Sequence, residues 1–159
     1  MQDAAGSWSI KGTITIVAGT PRLAVQYAAS ATNTAELIYF KISQNASSTS
    51  LMESVSVCRL SAAATVTIGA TGTNVFDLSG GNATFRGTLS TSGTGVVATT
   101  AGTVTDIDHQ MDFNTLAGYE TVFQPNQRIW VPISGIIGIR CDAIIAGTWN
   151  VSMVVRESK

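Results

Sequence analysis

The sequence predicts an all-β chain, folded as a single-domain antiparallel β-sandwich of jelly-roll type with little or no helix. Strict alternation of apolar and polar residues near the C-terminus is the first observation, because alternation marks a half-buried strand. Short apolar runs at intervals of about 8–12 residues, separated by Gly and Asn turns, are the second. No segment shows a convincing amphipathic helical pattern, which leaves a sandwich or jelly roll as the expected architecture.

The predicted strands follow one another along residues 7–159, after an N-terminal arm of residues 1–6 that we expect to be flexible. Predicted strands or strand-like runs lie at 7–17, 23–29, 36–43, 53–60, 64–68, 75–78, 83–89, 136–141 and 149–155. Residues 136–141 are more continuously apolar and 149–155 alternate, so we expect an antiparallel pair at the centre of the domain. Between them Ala146 and Gly147 are a turn signal. Residues 106–110 read as a polar loop, and residues 113–123 as a segment that holds one short helical turn.

Charged residues make up only 12% of the chain, against roughly 25% in a typical soluble domain. A soluble monomer usually relies on charge to stay apart from its copies, so this composition predicts a surface that is covered by partners. The net charge of −1 gives no electrostatic case for binding nucleic acid or an anionic membrane. No apolar run is long enough to span a bilayer, and the N-terminus lacks the pattern of a signal peptide. We therefore expect folding in the cytosol of the producing cell, or export by another route.

Candidate reactive residues are few. Cys58 and Cys141 are most simply buried free thiols, with a disulfide between them as the alternative. Asp106, Asp108, His109 and Asp112 form the one acidic and imidazole cluster, which is either a solvated loop or a divalent-cation site. Its spacing matches no EF-hand or zinc motif, and no Gly-x-Ser-x-Gly elbow accompanies the single histidine. We expect neither enzymatic activity nor a cofactor.

Side chains that suit an interface are easier to find. Arg59, Arg86, Arg128 and Arg140 lie in otherwise uncharged predicted strands, where arginine either faces solvent or pairs across an interface. All three tryptophans could line a sugar-binding face, but their aliphatic neighbours favour core packing. The N-terminal arm is placed to reach a neighbouring molecule. The candidate interface residues are Met1, Gln2, Asp3, Trp8, Arg59, Arg86, Arg128 and Arg140.

The C-terminal segments resemble the end of small structural proteins of tailed phages. The matching segments are Ile-Trp-Val-Pro at 129–132, Gly-Ile-Ile-Gly-Ile-Arg at 135–140, and the strand at 148–157. The resemblance implies a capsid decoration (cement) protein, a homotrimer on the virion surface that binds the major capsid protein and staples its copies together. A receptor- or glycan-binding domain of a head or tail fibre is the alternative. An enzyme on a β scaffold is the third hypothesis, and it depends on His109 and its carboxylates.

Overall fold

The computed structural model describes residues 6–16, 22–44, 50–62, 65–67, 74–78, 88–89, 97–100, 103–142 and 147–158. These residues form strands and no helix, and so contain no helix that could cross a membrane. The strands are β1 Ser7–Ile16, β2 Arg22–Ala28, β3 Thr34–Gln44, β4 Met52–Ala62, β5 Thr65–Thr67, β6 Asn74–Asp77, β7 Thr88–Leu89, β8 Val97–Thr100, β9 Thr103–Asn114, β10 Tyr119–Val122, β11 Ile129–Val131, β12 Ile136–Asp142 and β13 Gly147–Ser158.

Two antiparallel sheets are packed together, so the predicted all-β sandwich is confirmed. Sheet 1 has the order β10-β3-β13-β1-β6, with β11 also paired to β3, and sheet 2 has the order β7-β2-β12-β4-β9. The pairs β4–β9, β3–β10, β2–β12 and β1–β13 are nested in chain order. A long hairpin rolled in this way is the wiring of a jelly roll. β5 and β8 form a separate two-stranded pair.

The core lies between the inner faces of the two sheets. Trp149 and Phe40 from sheet 1 meet Tyr27 and Ile137 from sheet 2, and all four are almost completely buried. Trp8 is 7% exposed and belongs to the same core. The predicted core packing of Trp8 and Trp149 is therefore confirmed, and Trp8 has little surface left to offer as the interface residue that the sequence suggested.

β12 and β13 are not partners, so the predicted central pair is wrong. β12 lies between β2 and β4 in sheet 2, whereas β13 lies between β3 and β1 in sheet 1. Each is the middle strand of its own sheet. An apolar pattern states which face of a strand is buried, and two strands that meet face to face across a sandwich bury the same kind of residue as two hydrogen-bonded neighbours.

The expected polar loop at residues 106–110 is also wrong, because these residues lie inside β9. β9 is the edge strand of sheet 2 within the described chain, and its register against β4 shifts at three places. Bulges and charged side chains are common on edge strands, where they discourage pairing with other molecules. An acidic composition suggests a loop, but at the edge of a sheet it is also compatible with a strand.

Residues 113–123 contain a turn but no helix. β9 ends at Asn114, whose carbonyl oxygen accepts hydrogen bonds from the amides of Ala117 and Gly118 at 3.1 and 3.0 Å. Gly118 has φ +70°, and a Cβ there would lie 2.8 Å from the Ile42 carbonyl oxygen. Only glycine fits both conditions at this turn.

The two cysteines are buried free thiols, as predicted. Cys141 lies in the core between the sheets, whereas Cys58 packs with Leu60 in a separate small cluster. Because Cys58 pairs with Gly138 and Cys141 with Val55, their side chains lie on opposite faces of sheet 2. This geometry explains why they form no disulfide.

Candidate interaction surfaces

Trp130 is the exposed tryptophan of the chain, with 53% of its surface accessible, so its predicted core packing is wrong. It is the middle residue of β11, and its neighbours Ile129 and Val131 both point into the core. Alternation places Trp130 on the outer face of sheet 1. In an Ile-Trp-Val run all three residues are apolar, so the sequence does not show which of them faces inward.

The strands of sheet 1 carry three parallel rows of side chains on this outer face, set by the pairing of β13, β3 and the β10/β11 edge. We call this surface the Trp130 face. Its upper row is Arg156, Glu36 and Trp130, with Arg128 beside Glu36; its middle row is Val154, Tyr39 and Val122; its lower row is Ser152, Lys41 and Glu120.

Two ion pairs flank the middle row of the Trp130 face. Arg128 Nη1 lies 3.2 Å from Glu36 Oε2 in the upper row, and Lys41 Nζ lies 3.5 Å from Glu120 Oε2 in the lower row. Tyr39 donates its phenol hydrogen to Glu120 at 3.4 Å. Partial burial, and then the nearby Glu120 carboxylate, raise the pKa of Tyr39. The face thus has an apolar centre between two mixed-charge margins.

A second exposed apolar group lies at the end of the sandwich where β3 ends and β4 begins. Leu51, Met52 and Leu116 are 37%, 56% and 58% exposed, and we call them the apolar tip. The buried Thr115 joins the two segments, since its amide donates to the Leu51 carbonyl at 2.9 Å and its hydroxyl accepts from the Leu51 amide at 3.1 Å. The Leu116 amide donates to Asn114 Oδ1 at 2.9 Å. Hydrogen bonds therefore fix the backbone that carries Leu51 and Leu116.

The arginines of the predicted interface are distributed over different parts of the fold. Arg128 precedes β11 and belongs to the Trp130 face. Arg59 lies in β4 and pairs with Asp108 of β9 at 2.8 Å, and Arg140 lies half-buried in β12. The remaining interface candidates, Met1, Gln2, Asp3 and Arg86, lie outside the described residues.

The acidic and imidazole residues of β9 have separate partners. Asp108 binds Arg59, and Asp106 accepts a hydrogen bond from the amide of Ile107 at 2.8 Å. His109 lies 2.9 Å from the Tyr119 hydroxyl and packs edge-on against Phe123. Within the described chain no three His, Cys, Asp or Glu residues are grouped so that they could hold a metal ion.

Sequence reasoning missed a buried hydrogen bond between the sheets. Tyr27 of β2 donates its phenol hydrogen to Glu157 Oε1 of β13 at 2.9 Å, and both residues are buried. Burial, and then the adjacent Glu157 carboxylate, raise the pKa of Tyr27 far above its ordinary value. The two residues are 130 positions apart, so no local pattern in the sequence could have paired them.

No protein-family model, no curated protein and no solved structure matches the chain significantly.

Proposed function

We propose that the chain is a structural virion protein: a decoration, or cement, protein that binds the outer surface of a phage head and stabilises the contacts between major capsid proteins. The jelly-roll wiring is compatible with this role but does not select it, because capsid proteins, lectins and cupins share the architecture. The C-terminal segments add the resemblance to phage structural proteins. The observation that carries the proposal is the apolar tip.

The apolar tip has the properties of a contact that binds without reorganisation. Three exposed apolar side chains come from two chain segments, and backbone hydrogen bonds fix those segments before any partner arrives. Interface cores are apolar and depleted of charge, and a preformed contact loses less conformational entropy on binding. Residues 50–52 and 114–119 carry no charged side chain, so the complementary site on the capsid protein would be an uncharged apolar depression.

The binding of a cement protein stabilises a capsid by mass action, because it favours the assembled lattice over its separated subunits. A copy that contacts two neighbouring capsid proteins adds free energy to their junction without changing either protein chemically. Contact area is therefore the requirement, and a reaction centre is not. The sparse charge of the chain suits close contact over a large surface.

Binding to undecorated heads tests the proposal directly. Purified chain is mixed with heads that lack a decoration protein, and the bound fraction is measured by co-sedimentation. We expect saturable binding by the native chain and binding weakened at least about tenfold by Leu116→Asp, because a charge at the apolar tip must be desolvated.

Leu78→Asp is the matched control, because Leu78 is 57% exposed. It follows β6, the edge strand of sheet 1 that lies farthest from β10. This variant should bind heads like the native chain. Absence of binding by the native chain, or equal loss in the two variants, would contradict the proposed role of the apolar tip.

A receptor- or glycan-binding domain of a head or tail fibre is the second candidate, and the exposure of Trp130 favours it. An exposed tryptophan beside a carboxylate can stack on a sugar ring while the carboxylate accepts hydrogen bonds from sugar hydroxyls. Since Trp8 and Trp149 are buried, a glycan bound at this face would change the fluorescence of Trp130. Titration with a panel of bacterial surface glycans tests this alternative, and a flat fluorescence response across the panel counts against it.

A further inference from the structure

We infer that the Trp130 face binds a second copy of this chain, through a two-fold axis that lies along the middle row and runs across the strands. This contact does not depend on attachment to a capsid, so it goes beyond the decoration role. It also differs from the expected homotrimer, because a three-fold contact joins two different patches, whereas a two-fold contact joins a patch to itself.

The charges of the Trp130 face are arranged for such a pairing. Rotation about the middle row brings the upper row of one copy over the lower row of the other, while each strand keeps its place across the sheet. Glu36 then lies over Lys41 of the second copy, since both belong to β3. Trp130 lies over Glu120, since both belong to the β10/β11 edge. The first contact joins opposite charges and the second places an indole N–H donor beside a carboxylate, and such complementary contacts favour one register over others.

The apolar row supplies the centre of the contact. Residues on the axis meet their own copies, so Val122, Tyr39 and Val154 would pack against Val122, Tyr39 and Val154 of the partner. Val122 is 63% exposed, and Tyr39 and Val154 are half-buried, so each has surface left to bury. Tyrosine and tryptophan, which are enriched at interface hot spots, lie in this row and beside it.

The dimensions of the surface are adequate for a stable pair. The three strand positions of the Trp130 face at about 4.8 Å and the twelve residues of β13 at about 3.4 Å give a rectangle of roughly 14 by 41 Å. Two copies would together bury roughly 1,200 Å², which is at the lower end of the range for specific interfaces. Sheets packed face to face keep their strand directions within about 30°, which this axis permits.

Opposite charges introduced at the axis provide the test. Val122→Asp and Val122→Lys each place two like charges face to face, so each variant alone should dissociate at least about tenfold more readily than the native chain. An equimolar mixture of the two variants places Asp against Lys and should associate again. Light scattering and sedimentation velocity over a range of concentrations measure all three samples.

We expect the native protein to form particles with an even number of chains, and each single variant to form particles with half that number. Leu78→Asp is the control for an added exposed charge away from the face, because Leu78 follows β6 at the other edge of sheet 1, and it should leave the mass unchanged. Circular dichroism confirms that each variant is folded. A native mass of one or three chains would overturn the inference, and so would a mixture of the two variants that stays dissociated.

Discussion

Two tyrosine–glutamate hydrogen bonds, one inside the sandwich and one on its surface, show how differently the same chemical pair behaves in two places. Tyr27 and Glu157 join the two sheets at 2.9 Å, and water has almost no access to either residue. Tyr39 and Glu120 join two strands of sheet 1 at 3.4 Å, and Lys41 lies beside the same carboxylate. The inner pair is isolated from solvent, whereas the outer pair belongs to an open network.

We therefore expect the buried pair to contribute to stability and the exposed pair, under the proposed self-association, to contribute to recognition. Loss of a hydrogen bond to a buried carboxylate destabilises the folded state strongly, because no water replaces the donor. On the Trp130 face, water can replace any partner, and surface ion pairs contribute little to folding. The same open charges, however, are available to a second molecule.

The largest expected effect comes from Tyr27→Phe, which removes the phenol hydrogen bond from the buried Glu157. We expect a loss of about 1–3 kcal/mol in the free energy of unfolding. Tyr39→Phe is the matched control, and its exposed hydrogen bond should be worth less than about 0.5 kcal/mol. Urea denaturation of both variants measures the contrast, and equal losses would show that burial does not separate the two pairs.

A second expected effect is a loss of stability at alkaline pH. The folded state keeps the Tyr27 phenol protonated, whereas the unfolded chain releases that proton near pH 10. The contribution of Tyr27 to the free energy of unfolding is therefore complete below about pH 10 and falls as the pH rises above it. Above that pH, unfolding releases about one proton, which sets the slope of stability against pH. The raised pKa of Tyr39 acts in the same direction. Urea midpoints between pH 8 and pH 11 should fall less steeply in Tyr27→Phe than in the native chain.

The Arg59–Asp108 contact sharpens the comparison, because its side chains are intermediate in exposure, at 30% and 19%. Asp108→Ala should therefore lower the free energy of unfolding by about 0.5–1 kcal/mol, between the effects of the two tyrosine variants. Asp112→Ala, on the same strand and exposed, is the control for removal of a carboxylate. If Asp108→Ala lowers stability no more than this control, the ion pair does not hold β9 to β4.

The smallest effect on stability should come from Trp130→Ala. We expect a change within about 0.5 kcal/mol, because more than half of the side chain is already in solvent. The same variant should remove most of the fluorescence that acrylamide quenches, since the other two tryptophans are buried. Both measurements are made in the Val122→Asp background, so that self-association does not contribute. Strong residual quenching would show that Trp8 or Trp149 is accessible.

Much of the fold could be predicted from the sequence, because alternation reports burial directly. The inward row Trp149, Val151, Met153 and Val155 of β13 is buried as its pattern indicates. Jelly-roll architecture followed from many short strands without a helix. Alternation is a property of one strand alone, however, and so it could not show that β12 and β13 belong to different sheets.

The candidate surfaces were harder to predict, because they depend on distant neighbours. The charge of Arg128 in an apolar context predicts an interface residue, and Arg128 lies on the Trp130 face. The aliphatic neighbours of Trp130 predict core packing, although only pairing with β3 fixes which side it faces. No local pattern in the sequence predicts the apolar tip, since the segments of Leu51 and Leu116 become neighbours only when β4 and β9 are paired.

The nested wiring also has a consequence for the kinetics of folding. β13 is the last strand in chain order, yet it lies between β1 and β3 in sheet 1. During synthesis β1 and β3 are made before β13. The edges of both strands that will pair with β13 therefore stay unpaired and accessible to other chains. Contacts between such distant segments make folding slow and expose it to aggregation. Nascent chains that end before residue 147 are therefore the species for which chaperone binding would matter most.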